Sequence, residues 1–526
     1  MAATILAARG YRFAPEERPV FPGAPYSPRH TTAHRIVYAI SALVMAMAGG
    51  LSNSLVTVNI LTIGGNLGLY ASEASLLVAV YVAFNVTANL MLVKARIQFG
   101  IPLSMHVLLG ALVAVNVLAI ALPGPATNLV ARALSGIVAG GLSTLTLYNL
   151  FQVFPLAHRP KALVIGFSLP QLAVPIARLF PVDALALHHW QGLHVVDGAM
   201  ALAAWTMLSL MPLPPTDRSK AFEPIDAVTI GLAIPAMLLL CFVLSEGRYL
   251  WWTDAPQLGW ALAAALPLLA LLFFIEDRRA RPLLWVRWYA TRDIALFAAI
   301  ALVVRIALAE QTYGAVGLFS LNGLTNDQLH PLFLVVFAAM VAGTACAAIL
   351  AKPGRLLWLV VVAALLIALG AWMDTHTTSD SRPQQLFLSQ SLLGFGASLF
   401  LGPALLFGLE RMLRQGTNYL VTFVVMFGTT QNLGGLVGSA LLGTIQTARA
   451  RAHAEALAEN LSLGDPAVVA RLRQGGLAEA LQGQANILAF NDTFWIVTLI
   501  ALVTAGLLAI FALHLSTAAR TPGTAR

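Results

Sequence analysis

The chain has 526 residues, of which 59% are hydrophobic and only 10% charged, with a mean hydropathy of +0.80. Soluble proteins carry about 25% charged residues, so a soluble globular domain is excluded and a polytopic membrane protein is indicated. The net charge of +8 serves as an orientation signal, as argued below, and implies no nucleic-acid partner.

The N-terminus is polar and basic (Arg9, Arg12, Arg18, Arg29, Arg35) and holds several prolines. It reads as a disordered cytoplasmic tail over 1–35 and lacks the pattern of a cleavable signal peptide. At roughly 17–25 apolar residues per crossing, fourteen spans follow, near 36–60, 74–93, 101–122, 128–154, 162–183, 193–213, 226–245, 257–275, 294–319, 331–351, 356–372, 386–409, 418–446 and 489–513. A second short tail occupies 514–526. Both cysteines, Cys241 and Cys346, fall inside apolar spans, so no disulfide framework is implied.

The distribution of Lys and Arg tests this count. With both termini cytoplasmic, 22 of the 31 lie in cytoplasmic segments. Short outer loops hold Arg248 and Arg382, and Arg132, Arg178 and Arg305 lie within spans. The remaining four sit in the long loop 447–488, and long translocated loops largely escape the positive-inside rule. The bias supports fourteen spans with both termini inside.

The first span ends in a polar run, with Ser52, Asn53, Ser54, Thr57 and Asn59 deep in a crossing. Such residues hydrogen-bond between helices or line a cavity, and both readings stay open. In the fourth span, Gly136, Gly140 and Gly141 give the small-residue spacing that lets another helix approach closely. The fifth has Pro170, Pro175 and Pro181 and should be kinked. At 1.5 Å per residue, Arg132, Arg178, Asp197 and Glu310 all fall in the outer part of the membrane, with Arg305 nearer the midplane. Unpaired buried charge is costly, so pairing is expected, first between Asp197 and either Arg132 or Arg178.

The segment 214–225 is a polar, proline-containing break after six spans. Two spans with few polar groups follow, then the basic linker 276–293 and six more spans. This divides the chain into a six-helix bundle at 36–213, two inserted helices at 226–275 and a second bundle at 294–513. Two six-helix halves with cargo held between them are the parallel repeat of major facilitator transporters. The ninth span, IALFAAIALVVRIALAEQTYGAVGLF, carries Arg305 and Glu310. A charge at membrane depth costs about 3 kcal/mol on insertion scales and faces a cavity or a partner. Five residues apart, the two side chains do not face each other. The loop 447–488 is Ala-rich and breaks at Gly464-Asp465-Pro466 and Gly475-Gly476, which predicts two or three short amphipathic helices over the outer face.

The run NLGGLVGSALLGTIQTARARAHAEALAENLSLGDPAVV into AFNDTFW, on this six-two-six plan, resembles the EmrB/QacA-type fourteen-helix drug:proton antiporters of the major facilitator superfamily. ARALSGIVAGG (131–141), VTVNILTIGGNLG, LSEGRYLWW (244–252) and EDRRARPLL (276–284) are further echoes, and the resemblance covers about 40–515. It implies an all-α major facilitator fold in a bacterial inner membrane. It also implies export of small amphipathic or aromatic compounds, driven by the proton gradient without a bound cofactor. Arg132 matches the family's fourth-helix Arg, implicated in proton coupling. The departures point to a divergent member: Ser52 or Asn53 stands where the first helix usually has Asp, the loop LVKARIQFG lacks its Asp, and Gln431 replaces an Arg before the glycine pair. Asp197 or Glu310 then becomes the candidate proton carrier, with Arg132. Arg305, Arg178, Asn53, Asn59, Gln431 and Tyr313 are the candidates for the substrate cavity.

No G-x-x-x-x-G-K-[ST] loop is present, so ATP does not drive the process from within this chain. The alternative function is a transporter of a specific metabolite with altered or lost proton coupling. An enzyme using His188, His189 or His194 as base is disfavoured, because no nucleophile or metal pattern accompanies them. The resemblance further implies a periplasmic adaptor and an outer-membrane channel as partners, with 447–488 as the docking face.

Overall fold

Lipid offers no water to backbone N–H and C=O groups, so each crossing segment closes its own hydrogen bonds as a helix. The computed structural model describes residues 13–14, 17–19, 23–462 and 464–518. Among them, twelve helical stretches are long and apolar enough to cross a membrane. The first bundle comprises α1 (Thr32–Val58), the short α2 (Ile60–Leu67), α3 (Ala71–Gln98), α4 (Ile101–Ala121), α5 (Pro125–Val153), α6 (Arg159–Ser168), α7 (Ala173–Ala177) and α8 (Val182–Leu210). The inserted pair is α9 (Pro224–Leu250) and α10 (Pro256–Asp277), followed by the single-turn α11 (Val286–Tyr289). The second bundle comprises α12 (Arg292–Ala307), α13 (Ala315–Leu321), α14 (His330–Leu350), α15 (Leu356–Asp374), α16 (Phe387–Gln415), α17 (Leu420–Glu459), the short α18 (Pro466–Gln474) and α19 (Leu477–Ala518). The tail side below is the end holding Thr32, and the loop side is the end holding α18.

The predicted ninth and thirteenth spans are helical but fall outside the twelve. The ninth is interrupted between α12 and α13. The thirteenth lies in the 40-residue α17, and Thr429, Thr430, Gln431 and Asn432 fall at the middle of the predicted span 418–446. The fifth span breaks as its prolines require, into α6, a 3-10 turn at Leu169–Leu172 and α7.

Three sequence expectations need correction. The HHWQG stretch is no loop: it lies within α8, where Trp190 takes a φ of 59° with its ring fully buried. Gly192 permits this bend, since a Cβ there would lie 2.1 Å from the Ala184 carbonyl oxygen. The side chains of His188 and His189 lie outside the described set. Second, the described part of the 1–35 tail is packed rather than disordered. Pro25 bridges to Thr216, Tyr148 Oη donates to the Gly23 carbonyl at 3.3 Å, and Gln152 Nε2 donates to the Tyr26 carbonyl at 3.1 Å. Residues 1–12 and 519–526 lie outside the described residues. Third, most of 447–488 belongs to α17 and α19, and only α18 is a separate short helix. RARAHAEALAE has high helix propensity and meets no breaker before Gly464, so α17 runs on. Asp492 on α19 ties the extensions together, pairing with Arg449 at 2.5 Å and His453 at 2.7 Å.

The halves meet along α3 and α17, where Asn432 Nδ2 donates to Asn85 Oδ1 at 2.9 Å. The inserted α9 packs against both helices of this seam. On the tail side, Lys94 of α3 pairs with Asp226 of α9 at 2.8 Å. Arg279 then joins Asp226, Glu223 and Glu276 at 2.5, 2.9 and 2.7 Å. The basic α3–α4 turn, which lacks an Asp of its own, thus finds its anion on the inserted pair. Within the first bundle, Gly136 lets α5 lie against α3, since a Cβ there would approach the Tyr81 carbonyl oxygen to 2.5 Å.

Candidate functional site

The interrupted ninth span sets the geometry. After Ala307 the backbone widens into a π-helical turn at Glu310–Gly314, in which the Ala315 N–H bonds to the Glu310 carbonyl five residues back. Such turns are rare and frequent at functional sites. This one aims Glu310 into the second bundle, where it is fully buried. Gln390 of α16 donates from Nε2 to both Glu310 carboxylate oxygens, at 3.2 and 3.5 Å. The same amide donates to Asp374 Oδ2 at 2.7 Å. Asp374, the last residue of α15, is 2% exposed. Two buried carboxylates therefore share one neutral amide. Among the described residues, no Lys, Arg or His makes an ion pair with either. Beside them, Gly314 lets α19 close in, since a Cβ there would meet Phe494 at 2.7 Å.

Arg305 points elsewhere. Its Nε donates to the Gln431 carbonyl of α17 at 3.1 Å, its aliphatic stem lies against Gly434 and its guanidinium against Gly435. Tyr313 sits on the loop side of Glu310, under the Arg248 guanidinium (4.9 Å to the ring centroid) and near Phe490.

The expected ion pairs of the first bundle are not made. Arg132 donates to the Ser52 carbonyl at 2.5 Å, the Leu77 carbonyl at 3.2 Å and Asn53 Oδ1 at 2.9 Å, and lies 4.5 Å from the Tyr81 ring centroid. Asp197 instead accepts from Asn116 Nδ2 at 2.8 Å and Ser135 Oγ at 3.5 Å. His194 is held between Asn116 Oδ1 at 2.9 Å and Asn128 Oδ1 at 3.1 Å. Carbonyls exposed at the ends and faces of packed helices were invisible as partners in the sequence, and they absorb the guanidinium. Arg178 follows the same rule. It donates to the Val58 carbonyl at 3.3 Å and to Asn326 Oδ1 at 2.9 Å, and stacks over Phe333. Asn326 also reaches Asn59 Oδ1 at 3.5 Å, so this group joins the two bundles on the loop side.

The structure thus brings Glu310 together with Asp374 and Gln390, Asn53 with Arg132, Asn59 with Arg178, and Gln431 with Arg305. It leaves Asp197 some helices away from Glu310, in the other bundle. Sequence reasoning missed Asp374 and Gln390. A lone Gln in an apolar span and an Asp at the exact end of another were the available signals.

No protein-family model matches the sequence. An uncharacterized MFS-type transporter of Bacillus subtilis, YhcA, is 23% identical over 353 residues, which span 65% of this chain and 64% of that relative. Among solved structures, a bacterial homologue of the human drug peptide transporters PepT1 and PepT2 superposes with a TM-score of 0.56 at 11% identity, over 92% of this chain and 99% of that one. The proton:xylose symporter XylE gives 0.52 at 12% identity over 92% and 97%. The human organic anion transporter MFSD10 gives 0.52 at 12% identity over 90% and 100%. The chain has the major facilitator fold. Within this major facilitator architecture, the acid pair lies inside the second half. The Arg178–Asn326 and Asn85–Asn432 contacts lie between the halves.

Proposed function

We propose that the protein is a proton-driven secondary transporter of the major facilitator type. It exports small amphipathic or aromatic compounds by antiport through alternating access. The observation that carries this reading is the Glu310–Gln390–Asp374 cluster. Two buried carboxylates that share one amide, with no ion-pair partner among the described residues, form a site able to take up and release a proton. Loading and losing that proton changes the charge inside one bundle, and the π-helical turn links that change to the helix that also carries Arg305. Fourteen crossings, both termini cytoplasmic and an inner-membrane location complete the proposal, supported by the Lys and Arg distribution. The sequence features shared with EmrB/QacA-type antiporters point the same way. The paired ends of α17 and α19 with α18 form the docking face proposed for a periplasmic adaptor, and failure of this region to crosslink to any adaptor would remove that part.

The test is proton flux in everted membrane vesicles, followed with a pH-sensitive dye across a panel of lipophilic cations and aromatic acids. A compound that releases lumenal protons in wild type, but not in Glu310→Gln or Asp374→Asn, supports the reading. Equal release in these variants refutes the acid pair as carrier. The second reading, a metabolite transporter with altered coupling, is favoured by one feature: Arg132 binds the neutral Asn53 where the family resemblance leads one to expect an acid. It predicts movement of a compound down its gradient with no proton release.

A further inference from the structure

Arg305 differs from the intramembrane cations of the first bundle. The Arg132 and Arg178 guanidinium groups each make at least two hydrogen bonds to oxygen acceptors. Arg305 uses only Nε, toward the Gln431 carbonyl, and its Nη atoms make no hydrogen bond among the described residues. No carboxylate pairs with it there either, because Glu310 is turned toward Gln390. The guanidinium has been given room. A Cβ at Gly435 would lie 3.1 Å from Arg305 Nη2, and one at Gly434 would lie 3.0 Å from its Cγ. The glycine pair that reads in the sequence as a helix-packing motif therefore forms a bare backbone floor under a cation.

A second under-bonded donor belongs to the residue whose carbonyl Arg305 binds. The Gln431 side-chain Nε2 is buried and has no hydrogen-bond partner among the described residues. Buried donors of this kind call for an acceptor. Arg305 itself is only partly buried. The neighbouring residue Asn432 bonds across the seam to Asn85 of the other half. An under-bonded cation and an unpartnered amide N–H thus belong to two hydrogen-bonded residues beside the junction of the two halves.

We infer that Arg305 and Gln431 form an anion-binding subsite, and that the cargo is an organic acid whose carboxylate docks on the Arg305 fork while its apolar body lies between the halves. A planar guanidinium suits a carboxylate because it offers two parallel N–H donors. This inference rests on the transporter reading above and specifies its substrate class.

The test uses the full-length purified protein with three probes that share one ring system: 2-naphthoate, 2-naphthamide and 2-naphthylmethylammonium. Affinity is read by titration calorimetry in wild type, Arg305→Gln, Arg305→Lys and Gln431→Ala. The expected result is binding of naphthoate in preference to the neutral and cationic probes. Its affinity falls about tenfold or more in Arg305→Gln, less in Arg305→Lys and less again in Gln431→Ala. If Arg305→Gln does not fold, the Lys and Ala variants carry the same ordering. Equal affinity for all three probes, an unchanged affinity in the variants, or no binding of naphthoate to folded wild type would overturn the subsite. Proton release from everted vesicles on adding naphthoate separates the two claims. Charge- and Arg305-dependent binding without proton release keeps the subsite and removes antiport. Proton release by probes of any charge, with binding indifferent to Arg305, keeps antiport and removes the subsite.

Discussion

The two bundles bury charge in opposite ways. In the first, Arg132 and Asp197 are surrounded by neutral groups that complete their hydrogen bonds: backbone carbonyls of α1 and α3, Asn53, Asn116 and Ser135. Arg132 and Asp197 each have at least two hydrogen-bond partners. In the second, Glu310 and Asp374 compete for one amide, while Arg305 faces a glycine pair without an anion. A saturated network holds one arrangement, whereas an unbalanced one changes state when a proton or an anion arrives. Substitution of Arg132 should therefore damage folding, and substitution of Glu310 or Arg305 should damage transport.

The largest effect is expected from Glu310→Gln. Proton-coupled efflux should fall to background in everted vesicles while the amount of folded protein in the membrane stays at the wild-type level. Loss of both together would collapse the contrast between the bundles. Arg132→Ala comes next. It strips donors from two buried carbonyls and from Asn53, each worth about 1–3 kcal/mol when left unsatisfied. The protein should lose most of its folded yield, as read by size-exclusion chromatography in detergent, and Arg132→Lys should recover only part of it. A folded but inactive Arg132→Ala protein would move Arg132 into the coupling machinery.

Gln390→Leu sharpens the comparison within the second bundle. Removing the shared donor should lower stability by about 1–3 kcal/mol. Thermal unfolding measures this, and an unchanged midpoint would show that neither carboxylate depends on the amide. The smallest effect is expected at Arg449→Ala in the extended α17. Its pairing with Asp492 is partly exposed and should contribute less than about 1 kcal/mol, so unfolding and efflux should both stay close to wild type.

Much of this was legible before any coordinates. The apolar run lengths place the helices, the prolines of 170–181 mark the broken fifth span, and the charges of the ninth span mark it as special. The partners were not legible. Residue spacing says which face of a helix a side chain occupies, but not which other helix that face meets. Asp374 sits at the boundary of an apolar run, so composition makes it look like a loop residue, and only the packing of α15 against α16 turns it inward. The expected Arg132–Asp197 pair failed for a related reason. Backbone carbonyls carry no sequence signature, yet inside a bilayer they are strong acceptors for a guanidinium.

By itself the sequence determined that this chain crosses a membrane many times as apolar helices, because hydropathy acts along the chain and needs no tertiary partner. The tertiary structure alone decided which buried charges are satisfied and which are left wanting. That outcome depends on distances of about 3 Å between atoms remote in sequence. A π-helical turn at Glu310, an amide at Gln390 and two glycines opposite Arg305 set those distances here.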